Sequence, residues 1–176
     1  MVLSQKFFER STLVVAKSLL GKFLCRRIGG KIIRSTITEV EAYDGPKDKA
    51  SHAARGETPR NALMFGEAGR WYVYFTYGMH WMLNIVTGKK GYPAAVLIRG
   101  VVMEDGKVFD GPAKLTKFLK IDKKLNNKPA SLKTGLWIEG NPKSRISKFD
   151  IKTSPRIGVN YAGPVWSKKH YRFFIE

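Results

Sequence analysis

The run "GRWYVYFTYGMHWMLNIV", Gly69 to Val86, constrains this chain more than any other stretch. Side chains of a strand alternate between two faces. On the way up, Trp71, Val73 and Phe75 therefore share one side, while Tyr72, Tyr74 and Thr76 share the other. After the Tyr77-Gly78 step, Trp81, Leu83 and Ile85 fall on one side and His80, Met82 and Asn84 on the other. The pattern predicts two strands flanking a turn, with an apolar face, a tyrosine-lined face and Tyr77 at the tip. Core packing accounts for Trp71, Val73, Phe75, Leu83 and Ile85. It accounts poorly for Tyr74, Tyr77 and Asn84. Tyrosines beside a groove on a basic protein suit the stacking of an unpaired base, which is worth about 1–3 kcal/mol per base.

Charge sharpens that reading. The 176 residues carry 32 Lys and Arg against 14 Asp and Glu, a formal net charge of +18. With 43% hydrophobic and 12% aromatic residues the chain is globular in composition, so this charge sits on a folded surface. A polyanionic partner is the commonest reason to tolerate it, nucleic acid first and an anionic membrane second. The length fits one domain over residues 1–176. The single Cys25 excludes an intramolecular disulfide. His52, His80 and His170 lie far apart with no metal-ligand spacing, so no metal and no cofactor are expected. "MVLSQKFFERS" reaches Glu9 before any apolar run, and no stretch of about 20 apolar residues could cross a bilayer. The expected compartment is the cytoplasm or nucleoid.

Along the chain, "STLVVAKSLLG" predicts a helix capped by Ser11 or Thr12 and stopped by Gly21. "KFLCRRI" and "KIIRSTITEVEAY" predict a hairpin around Gly29-Gly30, and Asp44 to Ala68 a long functional loop. "AAVLIRGVVM" reads as a buried strand, "GPAKLTKFLKI" as a helix with Pro112 in first position, and "RIGVNYAG" and "YRFFIE" as short closing strands. Strands outnumber helices. The expected class is α+β, a curved antiparallel sheet with peripheral helices.

Two groups of residues can carry chemistry. A strand at "ITEVEAYDG" would put Ile37, Glu39, Glu41 and Tyr43 on one face and Thr38, Val40 and Ala42 on the other. In a chain with so few acids, carboxylates here oppose polyanion binding. They are either paired with arginine structurally or reserved for chemistry. Basic residues that could grip phosphates are Arg55 and Arg60 in the long loop, Lys89 and Lys90 after the hairpin, and Lys114 and Lys117 on the later helix.

"EVEAYDGPKDKASHA", "TPRNALMFGEAGRWYVYFTYGMHWMLNIV", "AAVLIRG", "DGPAKLTKFL" and "RIGVNYAG" together resemble the alkyladenine (3-methyladenine) DNA glycosylase family, in order and in approximate spacing. The resemblance implies an open-barrel-like sheet whose protruding hairpin enters the minor groove of double-stranded DNA containing damaged purines. It implies that Tyr77 replaces an extruded nucleotide and that Tyr43, His52 and Tyr74 enclose the base. It gives Glu41 the attacking water, helped by Arg99 and the main-chain carbonyl of Ile157, and Asn84 the floor of the pocket. The implied protein is a monomeric, monofunctional enzyme with no membrane partner. Tyr161 departs from the family, standing where His is frequent.

Overall fold

The structure, a computed structural model, describes residues 1–147 and 149–176. Two helices, α1 (Gln5–Phe8) and α2 (Thr12–Leu19), precede β1 (Phe23–Ile28) and the long β2 (Lys31–Asp44). The hairpin follows as β3 (Trp71–Thr76) and β4 (His80–Val86), then β5 (Ala94–Met103), β6 (Val108–Asp110) and α3 (Pro112–Phe118). The chain closes with β7 (Leu136–Glu139), β8 (Lys152–Ser154), α4 (Gly163–Trp166) and β9 (Arg172–Phe174). The strands form an antiparallel sheet in the order β3-β4-β5-β2-β1-β7, with β6 on β5, β9 on β2 and β8 on β9. The expected α+β class with a curved antiparallel sheet is what is found.

Local chemistry explains the turns. Gly29 and Gly30 both have positive φ, 55° and 79°, so the β1–β2 turn uses the two residues that reach this region without a Cβ penalty. At the β3–β4 tip Gly78 has φ 64°, but Tyr77 also has φ 51°, a left-handed conformation that a side chain normally avoids.

The sheet curls without closing. Trp71 on β3, fully buried, donates its indole N–H to the carbonyl of Leu136 on β7 at 3.1 Å, tying the two ends of the strand order together. The free edge of β3 is covered by residues 126–130. Trp71 N–H reaches the Lys128 carbonyl at 2.9 Å, Ala130 N–H reaches Gly69 at 2.8 Å, and the Asn126 side chain accepts from Val73 N–H at 2.9 Å. These bonds occupy groups that would otherwise recruit a foreign strand.

One face of the sheet holds the core. Val73, Leu83 and Ile85 from the hairpin join Val40, Ala42, Val96 and Ile98, and α2 and α3 cover them with Val15, Leu19 and Leu115, helped by Leu119 just past α3. The other face carries Tyr72, Tyr74 and Asn84 beneath the 44–68 loop, which forms two 3-10 turns, His52–Arg55 and Ala62–Phe65.

Two expectations need correction. Ile37 does not share a face with Glu39 and Glu41; it is fully buried in the core cluster with Val40 and Ala42. Register shifts on either side of Glu39 mark a β-bulge, and an extra residue in one strand flips the alternation beyond it. Gly100 opposite makes room, because a Cβ there would lie 3.1 Å from both Glu39 Cβ and Thr38 Oγ1. "RIGVNYAG" is not a strand either: it is an irregular segment followed by a 3-10 turn over Asn160–Ala162. Gly158 and Gly163 have φ of 75° and 81°, outside strand geometry, and Arg156 turns inward.

Candidate active site

The tyrosine face and the long loop enclose a cavity lined by Tyr43, Ala50, His52, Met64, Tyr72, Tyr74, Asn84, Ala95 and Tyr161. It opens into a wider cleft that Glu41, Arg99, Ile157, Arg55, Arg60, Lys49 and Tyr77 also line. Register builds one wall: Tyr72 pairs with Asn84 and Tyr74 with Met82, so the alternation of β3 and β4 delivers both tyrosines and the asparagine to one face. The bulge in β2 keeps Glu41 and Tyr43 on that same side.

Glu41 is fully buried and has a partner on each oxygen. Oε1 accepts from the Ile157 N–H at 2.7 Å and lies 3.5 Å from Arg99 Nε; Oε2 accepts from the Tyr43 hydroxyl at 2.9 Å. Arg99 is held more tightly by Glu39, Nε to Oε1 at 2.7 Å, and Arg172 Nε meets the same oxygen at 2.7 Å. The arginine is thus anchored elsewhere. Burial raises the Glu41 pKa, opposed by Arg99, the Ile157 N–H and the Tyr43 hydroxyl. Such a carboxylate is more basic than an exposed one and keeps hydrogen bonds that hold its orientation.

The rest of the lining is neutral near pH 7. His52 stands edge-on to Tyr74 with ring centroids 4.7 Å apart, and its Nδ1 is 3.0 Å from the Tyr72 hydroxyl. Burial first, then the Arg60 charge, lowers its pKa. Burial pushes Tyr72 up to about 12 and raises Tyr43 and Tyr74 as well. Asn84 Nδ2 donates to the Tyr72 carbonyl at 3.1 Å, which fixes the amide's orientation on the cavity floor. Tyr161 lies at the mouth, its hydroxyl donating to the Ala50 carbonyl at 2.9 Å.

The hairpin tip protrudes. Tyr77 is 79% exposed and Met79 beside it is exposed too; Phe75, expected in the core, is also exposed, its ring packing on Trp81 with centroids 4.7 Å apart near the tip of the hairpin. Arg60 is fastened to the hairpin, Nη2 donating to the Phe75 carbonyl at 3.2 Å with Cζ 5.5 Å from the Tyr74 ring.

The structure therefore brings together Glu41, Tyr43, His52, Tyr74, Asn84, Arg99, Ile157, Tyr77, Arg55 and Arg60. Lys89, Lys90, Lys114 and Lys117 do not line the cleft. Lys114 instead pairs with Asp110 at 2.6 Å on the surface. The Ile157 amide donates to Glu41, a contact the resemblance did not name.

Sequence reasoning missed three supporting groups. Asp48 and Arg156 form a bidentate pair, both side chains fully buried, at 2.5 and 2.8 Å, and the Arg156 guanidinium carbon lies 4.8 Å from the centre of the Tyr43 ring. Asn61, 2% exposed, donates to the carbonyls of His52 and Gly56 at 2.9 Å each and so staples the loop that carries His52. The scarcity argument that singled out Glu39 and Glu41 applies equally to Asp48 in its lysine-rich loop. No comparable signal marks Arg156 or Asn61.

Residues 6–176 match the family model of methylpurine-DNA glycosylase. The chain belongs to that family. A relative from Anaeromyxobacter dehalogenans strain 2CP-C is 43% identical over an alignment covering all of this chain and 84% of the relative. One from Methanocella arvoryzae is 42% identical over 92% of this chain and 86% of its own, and one from Legionella pneumophila strain Corby 42% over 99% and 94%. Each is provisionally named a 3-methyladenine DNA glycosylase. Among the described residues no helix of this family member is long and apolar enough to cross a membrane.

Proposed function

We propose that this protein is a monofunctional DNA glycosylase that acts as a single-domain monomer on duplex DNA. It rotates an alkylated purine out of the helix and hydrolyses its N-glycosidic bond, leaving an abasic site. The expected bases are 3-methyladenine and 7-methylguanine, with hypoxanthine and ethenoadenine as further candidates. The observation that carries this reading is the position of Glu41, oriented by Ile157 N–H and Tyr43 OH at the junction of the aromatic cavity and the open cleft.

Extrusion costs a few kcal/mol in unstacking and unpairing. The exposed Tyr77 at the hairpin tip fills the vacated stack, while Arg55 and Arg60 at the rim attract phosphates. A purine alkylated at N3 or N7 is positively charged, and the neutral rings of Tyr43, Tyr74 and His52 accept it by stacking and cation–π attraction. Imidazolium there would repel it, so the lowered pKa of His52 favours the charged substrate. The charge also makes the base a good leaving group. One carboxylate then suffices where sugar hydrolysis with a poor leaving group uses two. Ionised Glu41 stabilises the oxocarbenium-like sugar and takes the proton from water, while Arg99 keeps that carboxylate ionised. Asn84 selects by exclusion, since the 2-amino group of guanine meets its side chain.

Incubation with a duplex holding a single 3-methyladenine or hypoxanthine tests this, reading released base and alkali-labile abasic sites. Product is expected. Tight lesion binding without product would leave only a nucleic-acid-binding module.

A further inference from the structure

We infer that the buried Asp48–Arg156 pair sets the charge preference of the base cavity, Asp48 cancelling a cation behind Tyr43 that would otherwise oppose a cationic purine in front of it. This rests on the glycosylase reading and adds to it a group that touches neither base nor sugar. Arg156 lies between two rings, its Cζ 4.8 Å from the Tyr43 centroid and 5.2 Å from that of Tyr171. Tyr43 lines the cavity, whereas Arg156 and Asp48 do not, so the phenol ring separates guanidinium from cavity. An aromatic face attracts cations, but two cations on opposite faces of one ring repel each other.

The pair is bidentate, although the Arg156 Nε is buried without a hydrogen-bond partner among the described residues. Arg156 gives Nη1 to Asp48 Oδ2 and Nη2 to Oδ1, with Nη1 also donating to the Ala42 carbonyl at 2.8 Å and Nη2 to Trp166 at 3.4 Å. Asp48 accepts in addition from the backbone N–H groups of Asp44 and Ala50, both at 3.1 Å. Those two backbone donors remain to Asp48 when arginine is removed. Replacing such a pair with apolar groups is often neutral for stability. Each charge therefore bears on the cavity only when the other is missing, and removing both together should leave the preference as it is.

A base stacked on Tyr43 lies about 8 Å from the guanidinium. At an effective dielectric of about 20, an unpaired cation at that distance disfavours a unit positive charge by a factor of about 30. The signs then differ between variants. Asp48→Asn leaves Arg156 unpaired and lowers the preference for 7-methylguanine, cationic, over hypoxanthine, neutral, by about tenfold or more. Arg156→Met leaves Asp48 unpaired and raises it by a similar factor. The double variant returns it to near the original value.

The experiment measures excision of both bases in one duplex context, together with affinity for the two duplexes, so that a neutral base bound but not cut still reports. Circular dichroism checks folding. Should Asp48→Asn not fold, Arg156→Met and the double variant carry the test, because their expected shifts differ from each other. Opposite shifts in the preference support the inference. Equal losses on both bases in every folded variant overturn it, that being the behaviour of a prop that only holds Tyr43 in place. Failure of the unaltered protein to release either base would instead sink the glycosylase reading beneath it.

Discussion

Glu41→Gln separates chemistry from structure unusually well at this site. Glutamine keeps an oxygen for the Ile157 N–H, now 2.7 Å from Oε1, and turns its amide toward Tyr43, whose hydroxyl can rotate to accept instead of donate. Arg99 loses a neighbour at 3.5 Å but keeps Glu39 at 2.7 Å. What disappears is the negative charge, so base release should fall by about 10²–10⁴-fold, roughly 3–5 kcal/mol of barrier. Stability should move the other way. Burial raises the Glu41 pKa above its unfolded value, so ionising it costs folding free energy as pH rises through the raised value. At pH 7 glutamine avoids that cost, and the variant should melt no lower than the original. Single-turnover release of 3-methyladenine, with a thermal melt and lesion-duplex affinity on the same preparation, reads all three quantities. The activity of the unaltered protein should rise with pH across the raised titration of Glu41, and the variant's residual rate should not follow it. Turnover within tenfold of the original, or a loss of activity accompanied by a lower melting temperature, would refute the reasoning.

Tyr77→Gly should uncouple binding from stability: affinity for lesion DNA falls, while relief of the φ 51° strain stabilises the hairpin by about 1 kcal/mol in a chemical melt. Arg55→Ala and Arg60→Ala should each flatten the salt dependence of DNA binding by about one ion, whereas Lys114→Ala, already paired with Asp110, should change it less. Glu39→Gln should slow base release without touching substrate, because Arg99 and Arg172 lose their shared anchor at 2.7 Å; an unchanged rate would show that Arg99 holds its place without it. Glu39 is partly buried, which raises its pKa, but its bonds to Arg172 and Arg99 outweigh that and lower it. Its contribution is therefore present above the unfolded value and fades as pH falls through the lowered one, visible in an acid melt of the unaltered protein that the variant lacks.

The hairpin was legible because β3 and β4 are long enough for alternation to be read and carry chemically distinct faces. Trp71, Val73 and Leu83 went to the core and Tyr72, Tyr74 and Asn84 to the cavity as the period of two requires. The helices at Thr12 and Pro112 announced themselves through apolar spacing and a first-turn proline. The bulge at Glu39 was not legible, because its cause lies in Gly100 on another strand. Three-residue strands such as β6 and β8 carry too few positions for any period. Asp48 and Arg156 meet across 108 residues, so neither side of the pair leaves a local trace of the other.

Charge placement answers a difficulty that composition alone poses. A chain of net charge +18 attracts phosphate backbones, yet the same field should repel the cationic purine it is proposed to capture. The structure resolves this by segregation. Lys49, Arg55 and Arg60 line the cleft and form no ion pair among the described residues, Arg60 reaching the Tyr74 wall at 5.5 Å, whereas Arg99 and Arg172 are matched by Glu39, with Glu41 behind, and Arg156 by Asp48. Between those layers the lining is uncharged imidazole, phenol and amide. Three of the 14 acids thus screen a pocket from a surface whose positive charge remains free to act on DNA. Adding cations to the rim and removing acids from the interior both raise the net charge. Only the second should cost selectivity for a charged base, because at an exposed rim the added field is screened within about 10 Å, while behind Tyr43 it is not.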